Sequence, residues 1–265
     1  MPKFLQLVKI TLQEYFVYRL NFILWRFRSF VFFLTLFFFW LAIYQTRTEI
    51  FGYQKAQMLT YIVGIAFLRG IVLANRSTDL EADIYTGRLN INLLKPFSIK
   101  KFYFTRDIAD KILNISFILV EIALVLYLLK PPFWFPQNPS TYLPFLILVV
   151  MSSFLFFFLN FIAASLAFWT GAVWAPRWLL MVVLMEFMSG AYFPIDILPS
   201  WLSRVILATP FPYLIYFPLK VWLEQVSGLE ILRVTVMMVF WLGIMFFLSQ
   251  LVWKKGLKVY SAWGG

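Results

Sequence analysis

The chain has 265 residues, of which 62% are hydrophobic, 21% aromatic and 13% charged, with a net charge of +11 and a mean hydropathy of +0.82. Soluble domains average about 45–50% apolar and about 25% charged, so this composition excludes an ordinary aqueous domain and indicates a polytopic membrane protein. The absence of Cys and His removes disulfides, thiol chemistry, His ligation and His acid–base catalysis, and basic residues spread along span ends rather than on a soluble module argue against nucleic acid.

No cleavable signal-peptide pattern opens the chain, so the first span is expected to act as its own insertion signal. Residues 1–28 are expected to form an interfacial amphipathic helix. Lys3, Gln6, Lys9 and Gln13 recur at helical spacing, and Phe4, Leu5, Leu7, Val8, Leu12 and Phe16 occupy the other sides. Arg19, Arg26 and Arg28 continue the basic bias. Six spans are predicted, at about residues 29–45, 56–74, 112–129, 143–169, 179–189 and 232–253. The fifth is too short to cross without neighbouring residues. The join 130–142 carries Pro131, Pro132, Pro136 and Pro139, so it is not helical throughout. Residues 170–178, with Gly171 and Pro176, read as a tight turn.

Six crossings put both termini on one side. Segments 1–28, 76–111, 170–178 and 254–265 together hold 16 basic and 6 acidic residues, against 5 and 4 in the opposite joins. The positive-inside rule then makes both termini and segment 76–111 cytoplasmic.

Segment 76–111 is the one long interval without a spanning run, and it holds about a third of the charged residues. Thr78-x-x-Glu81 has the form of a capping box, and Asp79 and Glu81 suit the first turn of a helix. Gly87 can end that helix in the left-handed conformation. Leu80 and Ile84 are four apart and share a face. The expectation is a two-turn helix with a small apolar face exposed to solvent. The bland alternative is a loop helix packed on its own spans. Residues 88–93 alternate polar and apolar, which favours an extended piece. Ser98 is placed to cap a helix running through Arg106 and Asp110 into span 3.

Residues 189–222 carry Pro194, Pro199, Pro210, Pro212 and Pro218, too many for a continuous span, yet they are strongly apolar. Short helices dipping into the outer leaflet and returning fit both facts, with irregular backbone covered by protein. Ser200 is placed to cap one of them and Thr209-Pro210 to end it. Within predicted spans lie Arg69, Glu121 and Glu186, each costly in hydrocarbon and therefore a candidate for the substrate path. Arg69 is expected to pair with Glu121 or Glu186, or else to snorkel.

Two stretches carry a family resemblance. Asp83-Ile-x-x-Gly87-Arg88-Leu89, followed by Leu93-Leu94-Lys95-Pro96, resembles the cytoplasmic loop of ABC-2 type transporter permeases that have six spans and a separately encoded ATPase. Ser189-Gly190-x-x-Phe193-Pro194 through Pro199-x-Trp201-Leu202, then Thr209-Pro210-Phe211-Pro212-Tyr213, resembles the outer segment before the last span of that subgroup. The resemblance covers nearly the whole chain and rests on the order and spacing of these motifs. It implies an all-α membrane fold in a single domain, residues 1–265, in a bacterial inner membrane. It also implies an exporter half that faces a second permease chain, identical or a sister, above two ATPase subunits. The helix at 77–87 would be the coupling helix. Leu80 and Ile84 would fill a cleft of the ATPase, and Asp79, Glu81, Asp83 and Arg88 would orient it at the rim. No phosphate-loop motif is present, so no cofactor is expected in this chain, and ATP and Mg would be bound by the partner. The rival readings are an ATP-independent channel or scaffold, against which no polar pore stripe is seen, and a membrane enzyme, for which clustered catalytic groups are missing.

Overall fold

A computed structural model describes residues 3–76, 78–170, 184–226 and 228–260. It is almost entirely helical. In chain order the helices are α1 Lys3–Val17, α2 Arg19–Ile43, α3 Lys55–Ile71, α4 Thr78–Tyr85, α5 Leu89–Leu93, α6 Ile99–Leu129, α7 Tyr142–Ser165, α8 Ser200–Leu207, α9 Tyr216–Trp222 and α10 Gly228–Val259.

Four of these elements are long and apolar enough to cross a membrane: α2, α6, α7 with the flanking turns of Pro139–Phe168, and α10. In the first, the expected division between interfacial helix and span moves. Helix α1 ends at Val17, and Arg19 to Arg28 belong to the long apolar helix α2. The reason lies in what the arginines meet. Arg26 is held by Glu121 and Asn114 of α6 rather than by water, so the bend comes earlier, at Tyr18. Helix α3 has 17 residues, about 26 Å at 1.5 Å per residue, and ten of them are buried. It is walled by α2, α6 and α9 rather than facing outward. The expected fifth span and the turn at 170–178 fall mostly on residues 171–183, outside the described residues.

The core runs around α3. Phe37 and Trp40 of α2, Met58 to Leu68 of α3, Ile118 of α6, Leu148 of α7 and Leu214 to Leu223 form one buried cluster. Small residues allow the closest approaches. A Cβ on Gly64 would lie 2.4 Å from Leu219, and one on Gly256 of α10 would lie 2.1 Å from the Phe168 ring. At the end of α3, Lys111 Nζ donates to the carbonyls of Ile71, Val72 and Ala74 at 2.7, 3.0 and 2.7 Å. It thereby satisfies acceptors that the helix leaves open.

The join after α2 is a small antiparallel hairpin, β1 Glu49–Ile50 and β2 Tyr53–Gln54. Phe51 and Gly52 both have positive φ, 52° and 78°, the pairing that a two-residue hairpin loop requires. No alternation is long enough to announce it. The join after α6 is non-helical up to Asn138, as its prolines dictate. Its backbone is held instead by Glu224, whose carboxylate accepts from the Gln137 and Asn138 amides at 3.0 and 2.8 Å and from Thr141 at 3.2 Å.

Candidate functional site: the charged end and the furrow beside α2

Helix α4 starts at Thr78 and ends at Tyr85, and Gly87 takes φ +75°. The capping box expected of Thr78 and Glu81 rests on the Thr78 side chain, which lies outside the described residues. The exposure expected of Leu80 and Ile84 is wrong. Leu80 is 0% exposed and Ile84 6%. Both pack with Leu89, Phe102, Tyr103, Phe157, Phe161 and Phe168 in a second apolar cluster. The physical reason is that this cluster already covers their apolar face, so no greasy knob projects into solvent.

Asp83 is likewise not a rim charge. It is buried and accepts from Tyr103 Oη at 2.6 Å and Asn92 Nδ2 at 2.8 Å, with Arg88 Nε at 3.2 Å. Asp83 therefore pins α4 to both α5 and α6. Residues 88–93 are not extended. They form the one-and-a-half-turn helix α5, because Leu89 and Asn92, three apart, are the buried pair. The surface this leaves outside consists of Tyr85, Ile91, Leu93 and Leu94, the last 87% exposed, beside Arg88 and Lys95.

Asp79 takes part in a four-residue cluster that sequence spacing does not reveal. Arg106 Nη2 donates to Glu14 at 2.6 Å and to Asp79 at 2.9 Å, while Arg76 reaches the same Glu14 at 3.2 Å. Helix α1 is thus tied to α4 through α6. Burial raises the Asp79 carboxyl above its ordinary value, against the pull of Arg106 and Arg76. Beside this cluster Tyr15 donates to Asp110, and burial together with that carboxylate raises the phenol. Glu81 lies half-buried on the first turn of α4.

The three charges expected within spans, Arg69, Glu121 and Glu186, are all paired. Arg69 meets Glu186 at 2.6 Å, and its guanidinium stacks 4.4 Å over Phe32. Tyr192 also donates to Glu186, at 2.9 Å. Glu121 pairs with Arg26 of α2, a partner the sequence reading did not name. These pairs are arranged along a furrow of about 700 Å³ between α2, α3 and α6. Arg26, Arg69, Arg76, Glu14, Asp110 and Glu186 all line it, and Glu121 reaches it only through its pair with Arg26.

At the opposite end, Gly190 has φ +82°, and its carbonyl accepts from Tyr61 Oη at 2.9 Å. Phe193 packs edge-on against Phe187. Pro194 precedes a 3-10 turn and Pro199 precedes α8, so Ser200 is the first helical residue rather than the cap. Pro210 precedes the 3-10 turn Phe211–Tyr213, and Pro212 is its middle residue. Tyr53 Oη donates toward Asp196 at 3.0 Å, and Lys220 pairs with the same carboxylate at 2.8 Å. Burial, with Asp196 adding, raises the Tyr53 phenol.

A family profile described as ABC-2 family transporter protein matches residues 30–264. The chain belongs to the ABC-2 transporter family. This ABC-2 chain is a permease, the membrane component of a transporter, and is not itself catalytic. Its long apolar helices agree with a multi-pass membrane protein. No curated protein matches it.

Proposed function

We propose that this permease is half of an ATP-driven exporter, with the α4–α5 unit receiving the motion of a separate ATPase. The observation that supports this most is the build of that unit. Its inner face is welded to α6 and α7 through Leu80, Ile84 and Asp83, and its outer face exposes Tyr85, Ile91 and Leu94 with no covering among the described residues. A force applied to that outer face would pass directly into two spanning helices. Leu80 and Ile84 transmit in this reading; they do not dock.

Six crossings, with α3 as the second and the span expected at about residues 179–189 as the fifth, would put both termini and the α4–α5 unit on the cytoplasmic side, in agreement with the charge bias. A second permease, a copy or a sister, completes the path, and two ATPase subunits bind ATP and Mg below. Arg69, Glu186 and the Arg26–Glu121 pair stand along the substrate path. The hairpin with Gly190, Phe193, Pro194, Pro199, Pro210 and Pro212 closes the outer end. ATP binding shifts the balance between inward and outward states, and cargo shifts it only through its different affinity for the two.

The test is affinity purification from native membranes. A stoichiometric ATPase should accompany the wild-type chain and be lost from an Ile91→Asp, Leu94→Asp double variant that still inserts. A lone oligomer with no ATPase would overturn the reading.

A further inference from the structure

The furrow beside α2 has a polarity that sorts ligands. Tyr18, Phe22, Trp25, Ser29, Phe32 and Leu36 line it at spacings of three and four, so one face of α2 runs along it. From Tyr18 to Leu36 that face is about 27 Å long at 1.5 Å per residue. One end of the wall is charged, with Glu14, Arg76 and Asp110. The other end is apolar, with Leu36, Ile62, Ile65 and Ala66, and the Arg69–Glu186 pair stands between them. A purely polar solute would leave the apolar half wet. A purely apolar one would strip water from ion pairs without replacing it.

Tyr18 and Trp25 are 66% and 63% exposed, so the furrow is open along its α2 side. Its volume falls in the range of small-ligand sites, about 300–1,000 Å³. The described wall presents three guanidiniums, Arg26, Arg69 and Arg76, and three carboxylates, Glu14, Asp110 and Glu186. A head of one sign meets repulsion as often as attraction here. A head carrying both signs finds a partner for each. The Nε atoms of Arg69 and Arg76 are buried without a hydrogen-bond acceptor among the described residues, so their donor sets are not filled by the carboxylates they already meet.

We infer that the furrow binds a zwitterionic amphiphile, its phosphate toward the arginines, its ammonium toward Glu14 and the rings of Tyr18 and Trp25, and its chain along the apolar half. The binding stands on this geometry alone; that the amphiphile is cargo rests on the exporter reading above.

The test uses the complex as purified, delipidated and then offered equimolar phosphatidylethanolamine, phosphatidylglycerol and a lipophilic quaternary ammonium ion, with retained molecules counted by native mass spectrometry. Phosphatidylethanolamine should be retained several-fold over the other two. Ser29→Trp, which fills the furrow from an exposed position without breaking an ion pair, should lower that retention about tenfold. Preference for the anionic lipid or the cation, equal retention of all three, or retention that Ser29→Trp does not alter would overturn the inference. ATPase association, read on the same sample, separates the two readings. Lipid retention without an ATPase refutes export alone, and an ATPase without selective retention refutes the headgroup class alone.

Discussion

At the charged end of the bundle, α1, α4 and α6 meet through side chains that each serve more than one partner. Arg106 bridges Glu14 and Asp79, and Asp83 gathers Tyr103, Asn92 and Arg88. At the opposite end, the hairpin and α3 meet the segment at 190–196 through phenols, Tyr61 donating to the Gly190 carbonyl and Tyr53 to Asp196, and Lys220 of α9 pairs with that same carboxylate. The first arrangement can exchange partners as elements shift, because several charges compete for the same acceptors. The second has fixed directions and close packing. The difference suits a molecule driven from one end and sealed at the other.

The strongest way to break the comparison is Asp83→Ala. It strands the Tyr103 hydroxyl and Asn92 amide in an apolar setting, at about 1–3 kcal/mol for each unsatisfied group. Amide exchange across α4 and α5 should rise sharply while the chain stays inserted. Unchanged protection there would show that apolar packing alone holds the unit. Next comes Gly256→Val, which drives a side chain into the Phe168 ring. Overpacking of this kind costs about 1–3 kcal/mol, and the melting temperature should drop by several degrees. A variant as stable as wild type would place the contact between α10 and the turn after α7 in error.

At the opposite end Tyr61→Phe should cost about 1 kcal/mol, the worth of one neutral hydrogen bond, and leave ATPase association intact. The smallest effect is one of pH. Glu224 has a carboxyl held below its ordinary value of 4.5 by the Gln137 and Asn138 amides. Because the folded value is the lower one, its support is full above the ordinary carboxylate range and is lost as pH falls through the folded value. Protection of those two amides should decline at acid pH, and Glu224→Gln should abolish the dependence.

Much of this architecture was legible in the sequence because apolar runs and prolines report locally. The four long apolar helices, the non-helical join before α7 and the left-handed Gly87 followed from neighbouring residues. Leu80 and Ile84 were correctly placed on one face, yet periodicity says nothing about what covers that face. The cover came from Phe157, Phe161 and Phe168, some eighty residues away. The Glu14–Arg106–Asp79 cluster and the Arg26–Glu121 pair join residues 92, 27 and 95 positions apart, and no spacing rule reaches that far. The hairpin escaped because Phe51, a side chain that rarely takes positive φ, holds the first turn position.

The account turns on which face of the α4–α5 unit meets the motor. Photo-crosslinking residues placed singly at Leu80 and at Leu94 in native membranes test it most directly. Adducts to an ATPase from position 94 and none from position 80 are expected; adducts from position 80, or from neither, would contradict it.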